Sequence, residues 1–281
     1  MTLAIPIPGQ NSMTNRANIH VTAVIDSSAD IADDVKIGPY TVIEGPVKIE
    51  SGTEIGAHVV LNGSTHIGAN CRIYPFAVIG TVPQDLKYAG EATRLEIGHN
   101  NTIREHVTVN PGTKHGGGVT KIGDNNLFMV ASHVAHDCQI GDEVVMANNA
   151  TLGGHVTVAD HAVIGGLSAV HQFVRIGAHA IIGGMSGVES DIIPYGRVKG
   201  DRAHLAGLNL VGLERTGFSR NDMRDLQKAY RMLFDDRQTF EKQLENVANQ
   251  FAGNDTVMSI VQFAREKSRF PLCKPKDNQS S

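Results

Sequence analysis

The sequence predicts a mainly β protein, a parallel β-helix followed by a small α-helical domain, and three observations support this prediction. Aliphatic residues recur every six positions from Ile19 to Val188, with two interruptions. Eleven of the residues in this series are followed directly by glycine. After Val188 the six-residue spacing gives way to apolar spacings of three and four, which are typical of amphipathic helices.

The six-residue spacing defines the predicted coil. It passes through eleven positions from Ile19 to Ile79, resumes at Ile97, and fills twelve positions from Ile122 to Val188. A period of six indicates a short extended segment, then a corner, with one aliphatic side chain per segment pointing into a narrow core. Three such segments close a triangular coil of about eighteen residues, so residues i and i+18 stack about 4.8 Å apart.

The composition limits the classes of function and the cellular compartment that fit this sequence. A net charge of −4 over 281 residues does not predict nucleic-acid binding, and 30 glycines with 5% aromatic residues suit tight corners and small core positions. Cys71, Cys138 and Cys273 form no CxxC pair, which argues against a disulfide framework and fits a reducing compartment. No apolar run approaches the roughly 20 residues that span a membrane, and no secretory signal is visible, so we expect no membrane insertion.

The spacing also divides the chain. We expect residues 1–16 to be a disordered extension, 17–195 to form the β-helix, and 196–281 to form the helical domain. The register fails near 81–95 and again near 110–121, and we expect a loop extruded from the coil at each place. Loops on a rigid scaffold often carry function, although simple tolerance of insertions at corners is the alternative. The run Gly116-Gly117-Gly118 lacks the spacing of a phosphate-binding loop.

The C-terminal part predicts four helices. Pro194 is expected to end the repeats, and 202–215 to form the first helix. Ser219 is a candidate cap for a second helix, with apolar residues spaced by three and four. Thr239 and Asp255 are candidate caps for two more.

Polar side chains converge in the middle of the β-helix when the eighteen-residue step is applied. His136, Gly154 and Gln172 share one stacked position, and Asp137 and His155 share the next. An imidazole titrates near neutrality, so His136 is the candidate general base, with Asp137 fixing its tautomer. The backbone N–H of Gly154 is the candidate oxyanion donor, an interaction that contributes about 3 kcal/mol in such sites.

Two other interpretations of these residues stay open. Each histidine taken alone is as readily explained by solvation or an ordinary hydrogen bond. A zinc site is the sharper rival, because histidines converging between coils bind zinc in hexapeptide-repeat carbonic anhydrases. Scarce carboxylates and the differing directions of His133 and His136 argue modestly against zinc. Cys138 is better explained as a core-lining residue than as a nucleophile, because a hydroxyl acceptor needs only a base.

Six segments of the sequence resemble the UDP-N-acetylglucosamine O-acyltransferases of lipid A biosynthesis. The resemblance extends from about Ile19 through the helical tail, and the loop 84–91 with the segment 133–138 is specific to that family. The segments are Gln84-Asp85-Leu86-Lys87-Tyr88-Ala89-Gly90-Glu91, Ile103-Arg104-Glu105, His133-Val134-Ala135-His136-Asp137-Cys138, Ala147-Asn148-Asn149-Ala150-Thr151-Leu152, Gly154-His155-Val156 and Ala169-Val170-His171-Gln172-Phe173.

The resemblance implies a fold, an activity and partners. The coils would wind left-handed, against the usual right-handed crossover rule. The enzyme would move a 3-hydroxyacyl group from acyl carrier protein to the 3-hydroxyl of UDP-N-acetylglucosamine, the first step of lipid A biosynthesis, in the cytoplasm of a Gram-negative bacterium. It would act as a homotrimer, with active sites between neighbouring prisms, and would need neither cofactor nor metal.

The resemblance also assigns roles to residues of this chain. His136 would be the base and Asp137 its partner. The substrate-binding residues would be Gln84, Asp85, Lys87, His133, His155, His171 and Gln172, together with Asn209 and Arg215 from a neighbouring subunit. Lys87 and Arg215 supply cations that a diphosphate requires. Gly184 would lie at the far end of the acyl groove, and because glycine has no side chain and leaves that end open, we expect a chain of about fourteen carbons.

At two places the sequence differs from the family that it resembles. Val211 stands where the family carries glutamate, and Asn110-Pro111 stands where it usually carries His-Arg, so contacts to nucleotide and donor are expected to differ here.

The second helix is expected to carry four basic residues, Arg220, Arg224, Lys228 and Arg231. They form either a docking face for acidic acyl carrier protein or an ordinary solvated helix face.

Three other functions are less compatible with the sequence. The sister N-acyltransferase carries an N-terminal uridine-binding domain, for which repeats beginning at Ile19 leave no room. Acetyltransferases that use coenzyme A usually end soon after the prism and lack the loop 84–91. A non-enzymatic scaffold would show a flat ladder of identical polar residues, and no such ladder is seen.

Overall fold

The computed structural model describes residues 18–276, and short strands dominate it. In chain order the strands are β1 Val24–Ile25, β2 Asp30–Ile31, β3 Lys36–Ile37, β4 Val42–Glu44, β5 Lys48–Ile49, β6 Glu54–Ile55, β7 Val60–Asn62, β8 Ser64–Ile67, β9 Arg72–Ile73, β10 Val78–Ile79, β11 Arg94–Ile97, β12 Thr102–Ile103, β13 Thr108–Val109, β14 Val119–Ile122, β15 Leu127–Phe128, β16 His133–Val134, β17 Gln139–Ile140, β18 Val145–Met146, β19 Thr151–Leu152, β20 Thr157–Val158, β21 Val163–Ile164, β22 Ala169–Val170, β23 Arg175–Ile176, β24 Ile181–Ile182, β25 Gly187–Val188, β26 Gly196–Lys199 and β27 His204–Leu208.

Every third strand belongs to the same wall of a triangular prism. The first wall runs from β1 to β25 with nine strands, the second from β2 to β23 with eight, and the third from β3 to β27 with ten. Away from the loops the partners within a wall are eighteen residues apart, as in the pairing of Val134 with Leu152 and of Leu152 with Val170. The predicted left-handed parallel β-helix is therefore confirmed.

The aliphatic residue of each strand points into the prism, as the six-residue spacing predicts. Ile43, Leu61 and Ile79 of the first wall are fully buried, and equivalent residues fill the other two walls. Stacking removes apolar side chains from water along the whole axis, and each contributes roughly 1.5–3 kcal/mol relative to an exposed position. The core is therefore one continuous column rather than a central cluster.

The corners and the glycines have separate roles. The left-handed corner residue stands three positions after the inward aliphatic residue, and it is rarely glycine: His58 has φ +56° and His155 has φ +62°. The glycine directly after the aliphatic residue permits close approach instead. A Cβ on Gly38 would lie 2.7 Å from the carbonyl carbon of Gly56 in the next coil. Glycine at these positions is thus required by the stacking of coils.

Both interruptions of the repeat leave the prism at the same corner. Residues 80–93 connect β10 of the first wall to β11 of the second, and residues 110–118 connect β13 to β14, again from the first wall to the second. The 110–118 segment contains a short 3₁₀ helix, Lys114–Gly116. In the coils that follow, this same corner carries Asp137 and His155.

The C-terminal part departs from the prediction in three places. Winding continues past Pro194, because β26 adds to the third wall beside β24. The helix predicted over 202–215 begins only at Leu210; most of the preceding residues form β27, which pairs antiparallel with β26. This pairing covers backbone groups that the last coil would otherwise leave open. The cap of the last helix is Asn254 rather than Asp255, whereas the predicted caps Ser219 and Thr239 are confirmed.

Four helices follow the strands: α1 Leu210–Arg215, α2 Arg220–Leu233, α3 Phe240–Gln250 and α4 Asp255–Arg265. The last three pack on one another through apolar faces that include Leu226, Val247 and Ile260, all fully buried. No helix within residues 18–276 is long and apolar enough to cross a bilayer. The disorder predicted for residues 1–16 lies outside the described residues.

Candidate active site

The site is built on a buried carboxylate. The side chain of Asp137 has no solvent exposure, and its Oδ2 lies 2.8 Å from Nδ1 of His136. Thr113 donates twice to the same carboxylate, from its backbone N–H to Oδ1 at 2.8 Å and from its hydroxyl to Oδ2 at 2.6 Å. The backbone N–H of Asp137 donates to the hydroxyl of Thr120 at 2.7 Å. Asp137 is therefore held on every side.

This arrangement determines how His136 presents its ring. An ionised carboxylate can only accept hydrogen bonds, so Nδ1 of His136 carries the proton and donates to Asp137. The lone pair is then on Nε2, which is the arrangement required of a general base. The imidazole is 15% exposed and can meet a substrate.

Two neighbours from the next coil complete the centre. The ring of His155 lies edge-on to that of His136, with centroids 5.1 Å apart, and its Nε2 lies 3.8 Å from Oδ2 of Asp137. A Cβ on Gly154 would lie 2.5 Å from Cε1 of His136, so only glycine fits against this ring. The backbone N–H of Gly154 donates no hydrogen bond within residues 18–276. The eighteen-residue arithmetic thus placed His136, Asp137, Gly154 and His155 together correctly.

Burial favours the neutral form of two surrounding histidines, His133 and His155. Burial lowers the pKa of His155, and the nearby His136 and Arg269 lower it further, against the opposing effect of Asp137. Burial also lowers the pKa of His133, whose Nδ1 lies 2.7 Å from the hydroxyl of Thr108. A neutral imidazole can accept or donate a hydrogen bond to an uncharged sugar hydroxyl or amide.

Comparison with known proteins identifies the family. A family model described as bacterial transferase hexapeptide (six repeats) matches residues 28–63, 46–81 and 120–154. One described as UDP N-acetylglucosamine O-acyltransferase, domain 2, matches residues 191–273. The acyl-[acyl-carrier-protein]–UDP-N-acetylglucosamine O-acyltransferase of Aliarcobacter butzleri is 50% identical over 88% of this chain and 94% of its own. The chain belongs to this family of O-acyltransferases.

Further relatives agree with this assignment. The enzyme of the same name from Caulobacter vibrioides is 56% identical over 75% of this chain and 80% of its own length. The crystal structure of the Francisella novicida UDP-N-acetylglucosamine acyltransferase superimposes with a TM-score of 0.89 at 34% identity, covering 92% of this chain and 95% of that one. The predicted family and the predicted acyltransferase class are both confirmed.

The family resemblance also selects residues of the loop 80–93 and of the coil beyond His155. In the loop 80–93, Asp85 accepts the backbone N–H of Lys87 at 3.0 Å, and its charge acts on His155; Lys87 and Gln84 are exposed. His171 and Gln172 are exposed one coil beyond His155. Asp85 therefore lies near His155, and the roles of all five residues stay predictions.

Asn209 lies at a different corner of the prism from His136, and Arg215 ends the short helix that Asn209 caps. Asn209 caps α1 by accepting the N–H of Gly212 at 3.1 Å, and its amide donates to the backbone oxygen of His179 at 2.9 Å. His179 belongs to the corner between the second and third walls, whereas Asp137 belongs to the corner between the first and second. A single subunit of this O-acyltransferase therefore does not bring them together.

Gly184 lies on the opposite edge of the first wall from His136. It precedes the corner residue Met185, and the nearest atom to an added Cβ would be the backbone oxygen of Gly166 at 3.3 Å. Between the two edges, the outward positions of the first wall become smaller beyond His133. They are Thr151, Ala169 and Gly187. This surface is a candidate track for an acyl chain.

The rival interpretations can be weighed on geometry. His136, Asp137 and His155 each offer a ligand atom within 4.8 Å of the others, as a metal site requires. Both oxygens of Asp137 already accept hydrogen bonds, however, which fits the orientation of a base better than coordination of an ion. Cys138 is fully buried, and burial raises the pKa of its thiol to about 12, so it is a core residue as predicted.

Sequence reasoning missed three residues of the site. Thr113 reaches Asp137 from the loop 110–118, where the repeat gives no register. Phe173 stacks on His155 with centroids 4.2 Å apart, and Arg269 lies over Phe173. Phe173 stands eighteen residues after His155, so the stacking rule could have found it; nothing in the sequence signals the other two.

Proposed function

We propose that this protein transfers a 3-hydroxyacyl group from acyl carrier protein to the 3-hydroxyl of UDP-N-acetylglucosamine, the first step of lipid A biosynthesis, with His136 as general base. The single observation that carries the proposal is the 2.8 Å contact between Nδ1 of His136 and the buried carboxylate of Asp137. It leaves Nε2 free to accept a proton from a hydroxyl. The two substrates are those for which the relatives from Caulobacter vibrioides and Aliarcobacter butzleri are named.

One histidine can carry out both proton transfers of the reaction. Nε2 of His136 accepts the hydroxyl proton as the sugar oxygen attacks the thioester carbonyl carbon and the C–O bond forms. When the tetrahedral intermediate collapses, the C–S bond breaks and the imidazolium returns the proton to the departing thiolate. Asp137 stabilises the imidazolium in the interval without itself taking the proton. No oxidant, metal or cofactor enters this sequence of steps.

Gly154 is the proposed oxyanion donor. Its N–H makes no hydrogen bond within the part of the chain that the structure describes, and a side chain there would collide with the ring of His136. The amide is therefore free beside the base, where the negative oxygen of the intermediate develops.

The test is product identification with purified protein. We expect UDP-N-acetylglucosamine and a 3-hydroxyacyl donor to give a product acylated at the sugar 3-oxygen, assigned by NMR. His136→Ala should fold normally and lose about 10²–10⁴-fold in kcat. His66→Ala is the matched control, because His66 is a partly buried histidine that pairs with Glu50 three coils away from the site. Near-normal turnover by His136→Ala would remove the base from the mechanism.

A homotrimer is the second part of the proposal. The positions of Asn209 and Arg215 at a separate corner support a site completed by a neighbouring subunit, because one chain alone keeps them apart. Mixed assemblies of His136→Ala and Arg215→Ala subunits should regain activity that neither variant shows alone. Inactivity of all mixed assemblies would place both residues in one subunit.

The acyl chain is the third part. We propose that it lies along Thr151, Ala169 and Gly187 and ends near Gly184. Each buried methylene of a chain of about fourteen carbons adds about 0.8 kcal/mol, so the wild type should prefer long donors. Gly184→Met should shift the preference in a donor competition toward shorter chains. A wild-type preference for donors of about ten carbons would contradict this track.

The basic residues Arg220, Arg224, Lys228 and Arg231 are the proposed docking face for acyl carrier protein. All four side chains are exposed on α2, and Arg224 has only a loose pairing with Asp225 at 3.9 Å. Acidic partners are attracted by such faces mainly through the association rate. Reversing Arg220 and Arg224 to Glu should raise KM for the acyl carrier protein donor and leave KM for UDP-N-acetylglucosamine unchanged.

A further inference from the structure

The C-terminal segment 267–276, the strap, returns from α4 to the last coils of the prism. The backbone N–H of Asp191 donates to the oxygen of Pro271 at 3.0 Å, and the N–H of Cys273 donates back to the oxygen of Asp191 at 2.8 Å. The N–H of Leu205 donates to the oxygen of Lys274 at 2.8 Å. The backbone of the strap is thus held on the prism by hydrogen bonds to Asp191 and Leu205.

One side chain of the strap, that of Arg269, contacts an aromatic residue of the candidate active site. The guanidinium of Arg269 lies 3.7 Å from the centroid of Phe173. Phe173 in turn stacks on His155, with centroids 4.2 Å apart and planes 7° from parallel. His155 meets the ring of His136 edge-on. A continuous column therefore leads from the proposed base to a cation contributed by the strap.

The guanidinium of Arg269 is not paired with any carboxylate of residues 18–276. It makes neither an ion pair nor a hydrogen bond in that range, its side chain is exposed, and it lies over the aromatic face of Phe173. Arg175, by contrast, is paired with Asp191 and Glu266, and Arg202 with Glu189. The aromatic ring of Phe173 holds the guanidinium of Arg269, and the N–H donors of this exposed, unpaired group are available to an incoming anion.

We propose that Arg269 binds a phosphate group of one of the two substrates. The phosphate lies at the end of the column of rings that starts at His136. The proposal rests on the proposed function, because that reaction brings two phosphates to the site: the diphosphate of the nucleotide and the phosphodiester on the pantetheine arm of the donor. The planar fork of guanidinium N–H groups matches phosphate oxygens in two parallel hydrogen bonds. Phe173 limits the conformational freedom that Arg269 would otherwise lose on binding.

The experiment compares Arg269→Ala and Arg269→Lys with the wild type. Arg265→Ala is the matched control, because Arg265 is an exposed arginine four residues earlier that makes no contact with the column. Steady-state KM is measured for UDP-N-acetylglucosamine, for an acyl-4′-phosphopantetheine donor, and for the same acyl-pantetheine lacking the phosphate. Calorimetric titration with UDP and with 4′-phosphopantetheine gives a second readout that needs no turnover.

The two phosphate sources give different results. If Arg269 holds the donor, Arg269→Ala raises KM about tenfold for the phosphorylated donor and leaves the dephosphorylated donor unchanged. If it holds the nucleotide, KM for UDP-N-acetylglucosamine and the Kd of UDP rise by a similar factor. Arg269→Lys retains part of the binding in either case, because it keeps the charge but loses the planar fork.

Two results would overturn the assignment. One is a set of KM and Kd values for Arg269→Ala within twofold of those of Arg265→Ala. The other is an equal loss with both donors and no effect on UDP, which would indicate a structural role of the strap. Failure of the proposed function itself is separate: the wild type would then form no acylated nucleotide, whatever residue occupies position 269.

Discussion

Both oxygens of the Asp137 carboxylate accept hydrogen bonds from a single residue, Thr113, which the loop 110–118 holds against the prism. The loop covers the carboxylate so closely that a Cβ on Gly116 would collide with it. A carboxylate hidden in this way cannot exchange its partners for water. Its orientation, and with it that of His136, therefore depends on a loop that lies outside the regular repeat.

Thr113→Val should lower kcat about tenfold or more, because the Asp137 carboxylate loses a donor that fixes its position beside His136, and a misplaced base slows the reaction. Thr113→Ser keeps the hydroxyl and should stay near wild type. The distinguishing measurement is kcat/KM against pH. A carboxylate that has lost its O–H donor holds the imidazolium more tightly, so the acid limb of the valine variant should move to higher pH. Identical profiles for valine and serine would assign Thr113 a purely structural role.

Gly154→Ala should reduce kcat at least a hundredfold while the protein stays folded. The added Cβ would lie 2.5 Å from the ring of His136, so the ring must turn away from its position beside Asp137. A misplacement of about 1 Å can cost roughly 10²-fold in rate. Gly253→Ala is the control, because nothing lies within 4 Å of its added Cβ. A fully active Gly154→Ala enzyme would show that the ring does not need its present position.

These residues show what the sequence could reveal and what it could not. A strict period fixes register, so the meeting of His136, Asp137, Gly154 and His155 followed from positions in the chain alone. The loop 110–118 has no period, and the contact of Thr113 with Asp137 depends on how that loop folds back. The strap adds Arg269 from a distant part of the chain, which no local spacing can indicate.

The C-terminal errors have a similar cause. The stretch preceding Leu210 was assigned to a helix on local grounds, yet residues 204–208 complete the third wall. Pairing with the exposed edge of β26 outweighs the weak helical preference of that stretch. The helices that bury strong apolar faces, by contrast, were placed correctly, apart from a one-residue difference at Asn254.

Acid should destabilise the fold through His179. Burial lowers the pKa of this histidine below its usual value of 6.5, and His161, stacked 4.4 Å away, lowers it further against the opposing charges of Asp160 and Glu143. The unfolded chain then binds a proton more readily than the folded one. Stability is therefore lost as pH falls through about 6.5 toward the lower folded pKa.

His179→Phe removes the titrating group and keeps a ring in the stack with Tyr195 and Phe218. The corner conformation of residue 179 tolerates phenylalanine, because Phe173 adopts a similar one. Urea midpoints between pH 7.5 and 5.5 should fall less for this variant than for the wild type. Parallel curves would mean that other groups cause the loss.

Two arginine–carboxylate pairs of equal length should differ in their effect on stability. Arg175 lies 2.8 Å from Asp191, whose side chain is fully buried, and Arg202 lies 2.8 Å from Glu189, where both side chains are exposed. Arg175→Ala leaves a buried carboxylate with only the backbone N–H of residue 175, and should lower the free energy of unfolding by about 3 kcal/mol. Arg202→Ala should lower it by less than about 1 kcal/mol.

Urea denaturation of both variants measures the difference in the free energy of unfolding. Steady-state kinetics of Arg175→Ala measures the effect on KM. Arg175 also binds Glu266 and the backbone oxygen of Phe263, so it connects the last coils to the end of α4, where the strap begins. Arg175→Ala should therefore loosen the strap and raise KM in the same direction as Arg269→Ala. If Arg175→Ala loses stability but keeps wild-type KM values, the position of the strap does not depend on this connection.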